Sequence, residues 1–441
     1  MYNGGEEVKA FRDPVHNLIR FDKNEEKLLL DLIDSREFQR LRYIRQLGLS
    51  SFTYIGAEHT RFAHSLGVVH LMKRIIDQFA NNRRLSCTED FKDIEEIIEH
   101  RVLVLVAALL HDVGHGPFSH VLEKTTGIKH EYWTERIIRS EKTEINQILE
   151  GYKSGFAENV AKVIERIHSC QAVVKLLSSQ LDADRLDYLL RDSVMTGAGY
   201  GSFDLEWLLH CLRLGKVNGT VEVGLDLNKG LSIAEDFVMA RYYMYKHVYF
   251  HKTTRCAEKM IDKVFERALE LQGQISLPPA LEVILKNNNE DVLDSYLSLT
   301  DNTIWYFINI WSTVDDLVLS MLCRGLLHRQ LYKMVTAVEL DNWERQDQLN
   351  ELAKSEGIHR KYLFLMDRPS SSVYKDTYLL TKLKDAEGKG ENEATEQIFL
   401  FDKKGEPHEL STVSSIINTI RNNKVSEKMM FVPARLKKHF V

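Results

Sequence analysis

One stretch constrains this chain more than any other. From Val102 to Leu110 the sequence is uninterruptedly apolar, and it then breaks directly into His111-Asp112-Val113-Gly114-His115-Gly116-Pro117-Phe118-Ser119-His120. The run is too short to span a bilayer, so it reads as a helix buried in a protein core. A carboxylate at Asp112, immediately after two buried leucines, is costly in an apolar setting unless a cation compensates it. The fold has to surround this segment with apolar partners and also neutralise the charge at its end.

The remainder of the chain supplies such partners. It has 441 residues, more than one compact core usually holds, so a large helical body with an appended lobe is expected. Leu66, Val69, Ile75, Ile76 and Phe79 recur at helical spacing, as do Val173, Val174, Leu177 and Leu181. A long helix is predicted from about Ile233 to Leu271, and a total of 7 prolines suits long helices. Val221 to Leu227 alternates apolar and acidic residues and predicts a strand of a small hairpin. Beyond Lys333 the texture changes. YLFLMD, VYKDTYLLTKL and EQIFLFD are strand-like, and Asp385 to Glu396 is a polar loop expected to be disordered. The expected fold is mainly α, with a helical body over residues 1–335 and a smaller C-terminal α+β lobe over residues 336–441.

Bulk properties exclude several classes. The formal net charge of −6 argues against non-specific nucleic-acid binding as the main role, because that needs a net or clustered positive field. Cys87, Cys170, Cys211, Cys256 and Cys323 are scattered and odd in number, without a CxxC pair. A disulfide framework or thiolate zinc site is therefore not expected, and a reducing, cytoplasmic setting is. The first residues, MYNGGEEVKAFRDP, contain no apolar signal-peptide core.

Four places are rich in ligand-type residues: Arg61 to Gly67 around His64, His111 to His120, His130-Glu131, and Asp182 to Tyr188. A lone His-Asp pair means little. A His, then a His-Asp after a buried helix, then an Asp in an otherwise apolar helix is far more specific. Two neutral imidazoles and two carboxylates make a mixed nitrogen and oxygen site for one divalent ion, with positions left for water and a phosphate oxygen. Mn²⁺, Mg²⁺, Fe²⁺, Ni²⁺ and Zn²⁺ all tolerate such ligands. The bland alternative is that His64 and His111 are hydrogen-bonded core histidines and Asp112 a cap.

A second histidine set follows at 115, 120 and 130. Gly114, Gly116 and Pro117 interrupt the helix, so Gly114 to Ser119 is expected to be a tight loop. It would hold His115 and His120 over a metal-bound phosphate as proton donors or phosphate binders. Asp184, Tyr188 and Asp192 are spaced by four and share one helix face. Arg61, Arg185 and Arg241 could supply positive charge for phosphates, although any one such arginine is more often a surface ion-pair partner.

FRDPVHNLI, EFQRLRYIRQLG, GAEHTRFAHSLGV, ALLHDVGHGPFSH, LDADRLDYLLRD and HRQLYKMV together resemble the deoxynucleoside triphosphate (dNTP) triphosphohydrolase branch of the HD superfamily. The branch includes bacterial members and an animal enzyme that joins a SAM domain to an HD domain. The similarity runs from about Val8 to Val335, and no SAM domain is seen in this sequence. The resemblance implies metal ligands at His64, His111, Asp112 and Asp184. It implies that His115, His120 and His130 line the triphosphate, with Asp184 also in the catalytic set. Gln46, Leu47 and Asp192 match positions that hold the deoxyribose, and Tyr188 one that disfavours a 2′-hydroxyl. Arg61, Arg185 and Arg241 match phosphate-binding positions, and Tyr249 lies near the base. Two departures stand out: Arg185 replaces a lysine, and Phe250 replaces a glutamine near the base, so base preference does not carry over.

The implied reaction is hydrolysis of a dNTP to a deoxynucleoside and inorganic triphosphate, with additional Mg²⁺ bound to the nucleotide. The resemblance further implies a homotetramer activated by dGTP or GTP at subunit interfaces. Lys9, Asp34, Gln39, Arg42, Lys229, Arg329 and Lys333 match that activator site, whereas Trp207 and Leu227 stand near positions that hold arginines in the animal enzyme. The rival readings are an HD phosphohydrolase for another nucleotide phosphate and a nucleic-acid binding protein or nuclease. No membrane association is expected.

Overall fold

The computed structural model describes residues 7–81, 92–286, 292–336, 343–372, 374, 397–421, 424–426 and 428–440. The apolar run forms the helix Arg101–Leu110, buried at every position from Leu103 to Leu110. It packs against the long helix Arg61–Asn81, which carries His64 and in turn packs against the helix Ala183–Thr196, which carries Asp184. Three helices thus bring their ligand-type residues together around one buried element. None of the described helices is long and apolar enough to cross a membrane.

Local chemistry sets these elements. Asp182 caps the Asp184 helix by accepting from the Arg185 N–H at 2.8 Å, and Gly197 ends it in a left-handed conformation at φ 68°. The His64 helix has a glycine, Gly67, where it crosses the Asp184 helix. A methyl group there would fall 2.4 Å from Arg191 Nη2. A Cβ at this position would have to displace the buried Asp187 and Arg191 side chains packed against it.

The predicted helix from Ile233 to Leu271 is two helices, Leu231–Met244 and Lys252–Glu270. Tyr245–Tyr249 between them is π-helical, and His251 is extended and caps the second helix through Nδ1, which accepts from the Thr253 N–H at 3.2 Å. No glycine or proline stands between Leu231 and Leu271, so nothing in the sequence marks the break. A π-turn of this kind is frequent at functional sites, and here it carries Tyr245 and Tyr249.

The strand predicted at Val221–Leu227 is Thr220–Asp226, paired in a hairpin with Leu212–Val217. Phe399–Phe401 adds to it in parallel, Leu225 facing Leu400, and Pro407–Glu409 completes a four-stranded sheet. A second sheet orders Lys333–Thr336, Met429–Val432 and Leu365–Asp367. Both sheets bridge the boundary expected near residue 335. YLFLMD begins as a helical turn at Tyr362 and Leu363 and becomes a strand only at Leu365. The VYKDTYLLTKL strand and the Asp385 to Glu396 loop lie outside the described residues, apart from Tyr374, as does Cys87. Cys170, Cys211, Cys256 and Cys323 are free and buried.

Candidate active site

His64, His111 and Asp184 converge. His64 Nε2 lies 3.1 Å from Asp184 Oδ1, and His111 Nε2 lies 3.7 Å from the same oxygen. Both Nε2 atoms are buried without an aligned hydrogen-bond partner. Two orphaned imidazole nitrogens aimed at one carboxylate oxygen fit a divalent metal ion, because a buried polar atom without a partner is otherwise costly. The opposite ring nitrogens are anchored, His64 Nδ1 to Asp187 Oδ2 at 2.8 Å and His111 Nδ1 to the Ala108 carbonyl at 2.9 Å. That fixes the tautomer which leaves Nε2 free for a metal.

Burial opposes a charge on His64, but Asp184 and Asp187 outweigh it and hold its pKa up at about 10. Burial likewise opposes the charge on Asp184, and His111 and His64 outweigh it and hold its carboxyl well below the usual range. The pocket is built for positive charge, which a metal ion would supply in place of the protons.

Asp112 stands between two histidine sets. Oδ1 is 3.4 Å from His111 Nε2 and 3.3 Å from His115 Nε2, and Oδ2 is 3.9 Å from His64 Nε2 and 2.5 Å from Arg61 Nη1. It groups with His115 and His130, apart from the His64, His111 and Asp184 set. The expected loop follows His111, and Gly114 seats it on the helix His130–Arg139: a methyl there would fall 2.2 Å from the Thr134 nitrogen. The His115 and His130 rings consequently stack at 3.7 Å. Ser119 donates to the Gly116 carbonyl at 2.9 Å, so its oxygen accepts from His115 Nδ1 at 2.8 Å. In the neutral ring, Nε2 is then an acceptor facing a carboxylate, an arrangement that a proton or cation between them resolves. His130 Nδ1 meets Glu123 at 2.6 Å. His120 lies at the start of the helix Ser119–Thr126, and its side chain is outside the described residues.

A cavity of about 590 Å³ opens beside this cluster, and Arg61 is common to both. Gln46, Leu47, Tyr188, Asp192 and Tyr249 line it, as does Phe250. At its wall Asp192 accepts from Tyr249 Oη at 2.8 Å and contacts His59 Nε2 at 2.8 Å, while Gln46 Oε1 is buried and unpartnered. Two predicted phosphate ligands are engaged elsewhere. Arg185 donates to the Ser179 carbonyl at 2.8 Å and to Asp182, and Arg241 donates to Gln180 Oε1 at 2.9 Å.

The residues matched to an activator site fall on several elements. Lys9 pairs with Asp34 at 3.1 Å, and Arg42 donates to Gln39 at 2.8 Å while its guanidinium lies 3.6 Å over the Phe62 ring. Arg329 donates to the Phe52 carbonyl. Lys333 opens a strand, and the Lys229 carbonyl accepts from Trp207 Nε1 at 3.2 Å.

Sequence reasoning missed the support behind His64. Asp187 is fully buried and is gripped by Arg191 at 2.8 and 3.0 Å and by His16 Nε2 at 2.7 Å; Arg191 also reaches Asp13 at 2.7 Å. Burial opposes the Asp187 charge, but Arg191, His16 and His64 hold its carboxyl well below the usual range. Asp13 and His16 come from the turn joining the strands Val8–Asp13 and Asn17–Asp22. The i, i+4 spacing of Asp187 and Arg191 was the one local signal.

Residues 61–191 match the family described as HD domain, and residues 204–362 match the HD associated region. The uncharacterized protein YwfO of Bacillus subtilis is 37% identical over 98% of this chain and 93% of its own length. The chain belongs to the HD-domain family. A solved phosphohydrolase from Bacteroides thetaiotaomicron superposes on it with a TM-score of 0.78 at 30% identity, covering 97% of this chain and 100% of that one. The deoxynucleoside triphosphate triphosphohydrolase SAMHD1 of Gallus gallus is 29% identical over 79% of this chain, which spans 58% of that protein. The chain is thus an HD-type phosphohydrolase, and its His/Asp cluster lies within the matched HD domain.

Proposed function

We propose that this HD protein hydrolyses dNTPs to deoxynucleosides and inorganic triphosphate, with His64, His111, Asp112 and Asp184 holding one divalent metal. The observation that carries the reading is the junction of the metal-ligand cluster with a nucleotide-sized cavity at Arg61. When bound, the metal supplies Lewis acidity at the phosphoryl group. Arg61 and the stacked His115 and His130 face the triphosphate. Burial and Arg61 hold His115 well below the usual imidazole range, so Nε2, kept free by the Ser119 contact on Nδ1, takes up the proton for the leaving 5′-oxygen only when the triphosphate brings its negative charge beside the ring. Asp192, oriented by His59 and Tyr249, accepts from the 3′-hydroxyl, with Gln46 and Leu47 beside it. Tyr188 closes the sugar edge against a 2′-hydroxyl. Arg185 and Arg241 exchange their present partners for phosphate oxygens, and additional Mg²⁺ enters with the nucleotide. His120 joins the triphosphate-facing set by resemblance alone. Free, buried cysteines fit a reducing, cytoplasmic setting.

Product chromatography on a panel of dNTPs and ribonucleotides, each alone and in pairs, tests the reaction. Inorganic triphosphate and a deoxynucleoside are expected. Pyrophosphate with a monophosphate, or no turnover with Mg²⁺ or Mn²⁺, overturns the reading. His64→Ala and Asp112→Ala should lose the metal and hydrolysis yet stay folded; an Asp112→Ala protein with normal metal and activity removes Asp112 from the ligand set.

The same reading extends to regulation. Arg42 lies on Phe62, the neighbour of Arg61, so a nucleotide drawing Arg42, Gln39, Asp34 and Lys9 around itself would act on the residue that holds Asp112. With Arg329, Lys333 and Lys229 from an adjoining subunit, dGTP or GTP would bridge chains into a homotetramer and activate them. Light scattering and dATP turnover, each with and without dGTP, test this against Arg42→Ala. A monomer that gains nothing from any nucleotide defeats it and leaves the catalytic reading standing.

A further inference from the structure

A second cavity, of about 560 Å³, shares a wall with the catalytic one. Lys124, Lys259 and Asp262 line both. Beyond that wall it is bordered by Lys263 and by Arg360, Lys361 and Arg368, and Asp262 is the one carboxylate among its described lining residues. This concentration of cations runs against the formal net charge of −6 for the chain.

The described carboxylates around it do not neutralise it. Lys124 and Lys259 both reach Asp262, at 2.8 and 3.5 Å. Lys259 also approaches Asp367 at 3.3 Å, but Arg255 already holds that carboxylate at 2.7 Å. Lys263 and Lys361 share Glu266, and Lys361 shares Glu270 with Arg267. Arg360 is positioned by neutral amide oxygens, Asn350 Oδ1 at 2.9 Å and Gln346 Oε1 at 2.6 Å. Arg368 is exposed. Among the described residues, even with Glu258 and Asp316 counted for Arg255 and Arg267, the cations exceed the carboxylates. A planar guanidinium fixed by neutral acceptors beside a rank of ammonium groups is suited to a multiply charged oxyanion.

We propose that this cavity binds a polyphosphate chain at a site separate from the catalytic cavity. Its ligand is either free inorganic triphosphate or the phosphate tail of an intact nucleotide. Binding would draw Lys124 and Lys259 away from Asp262 and so alter the shared wall, coupling occupancy here to the catalytic cavity. The binding itself does not depend on the reaction proposed above.

Calorimetric titration of the full chain with inorganic triphosphate, and separately with ATP, tests this in wild type, Lys263→Gln/Arg368→Gln and Arg61→Ala. The double variant changes two positions that line this cavity and not the catalytic one, and circular dichroism checks its fold. Triphosphate affinity should fall about tenfold or more in the double variant, weaken with added salt, and persist in Arg61→Ala. ATP binding with the same sensitivity identifies a nucleotide tail as the ligand, and its absence identifies free triphosphate. The proposal is overturned by full affinity in the double variant, by binding that Arg61→Ala abolishes, or by no saturable triphosphate binding to wild type.

Discussion

Gly67 and Asp187 meet where two helices cross, so closely that a methyl group on Gly67 would fall 1.9 Å from Asp187 Oδ1. That contact lets His64, one turn earlier, reach Asp187 and Asp184 together. Gly67→Ala gains about 1 kcal/mol of helix propensity. It must also displace a buried carboxylate from its partners, which costs about 3 kcal/mol or more. We expect a net loss of about 2 kcal/mol in denaturant unfolding and weaker metal retention. A variant that is more stable than wild type and keeps its metal would refute this.

Asp187→Asn tests the support directly. The amide keeps the shape but leaves Arg191 buried with only Asp13 as a carboxylate partner, and it no longer fixes the His64 tautomer. Metal affinity should fall about 10- to 100-fold, read by competition with a chromogenic chelator. Unchanged affinity would mean that His64 is oriented by packing alone.

The bond from Tyr249 to Asp192 orients an acceptor at the cavity wall. Tyr249→Phe removes one hydrogen bond to a charged group, worth about 1.5 kcal/mol or more, so kcat/KM for dNTPs should drop about tenfold. Asp192 keeps His59, so some orientation survives. An unaltered kcat/KM would remove Tyr249 from the positioning set.

Acid sensitivity has a specific source in His70. Burial, then His16, Arg74 and Lys73, push its pKa down to about 4, against a smaller opposite pull from Asp13. Between pH 6.5 and about 4 the unfolded chain binds the proton more readily than the folded one. His70 therefore favours the folded state fully above pH 6.5, and this contribution is lost as pH falls towards 4. Allowing for partial exposure, the effect is on the order of 2 kcal/mol. The urea midpoint of metal-free protein should fall less over that window in His70→Gln than in wild type; parallel pH profiles would exclude His70 as the source.

The convergent side chains were legible because their types are rare in apolar surroundings: His64, His111 and Asp184 stand out along the sequence and meet in space. The role of Asp13 and His16 was not, since they sit in the FRDPVHNLI motif but reach Arg191 and Asp187 only through a turn far away in the chain. The π-turn at Tyr245–Tyr249 was hidden because no glycine or proline marks it. Arg185 and Arg241 read as phosphate ligands, yet both hold local partners, a competition that sequence does not express. The division near residue 335 followed a change in texture, whereas strand pairing depends on partners that texture does not reveal.

The parallel pairing of Leu225 with Leu400 also bears on the order of events during synthesis. A ribosome delivers Thr220–Asp226 long before Phe399–Phe401, so one edge of the nascent hairpin waits while the intervening helices emerge. Such long-range closure is slow and leaves an open strand exposed to foreign pairing in the interval. A nascent chain arrested before the last strands would already contain every residue of the His/Asp cluster. It would be a body equipped with its chemistry but still open along that edge, the stage at which a chaperone would have most to protect.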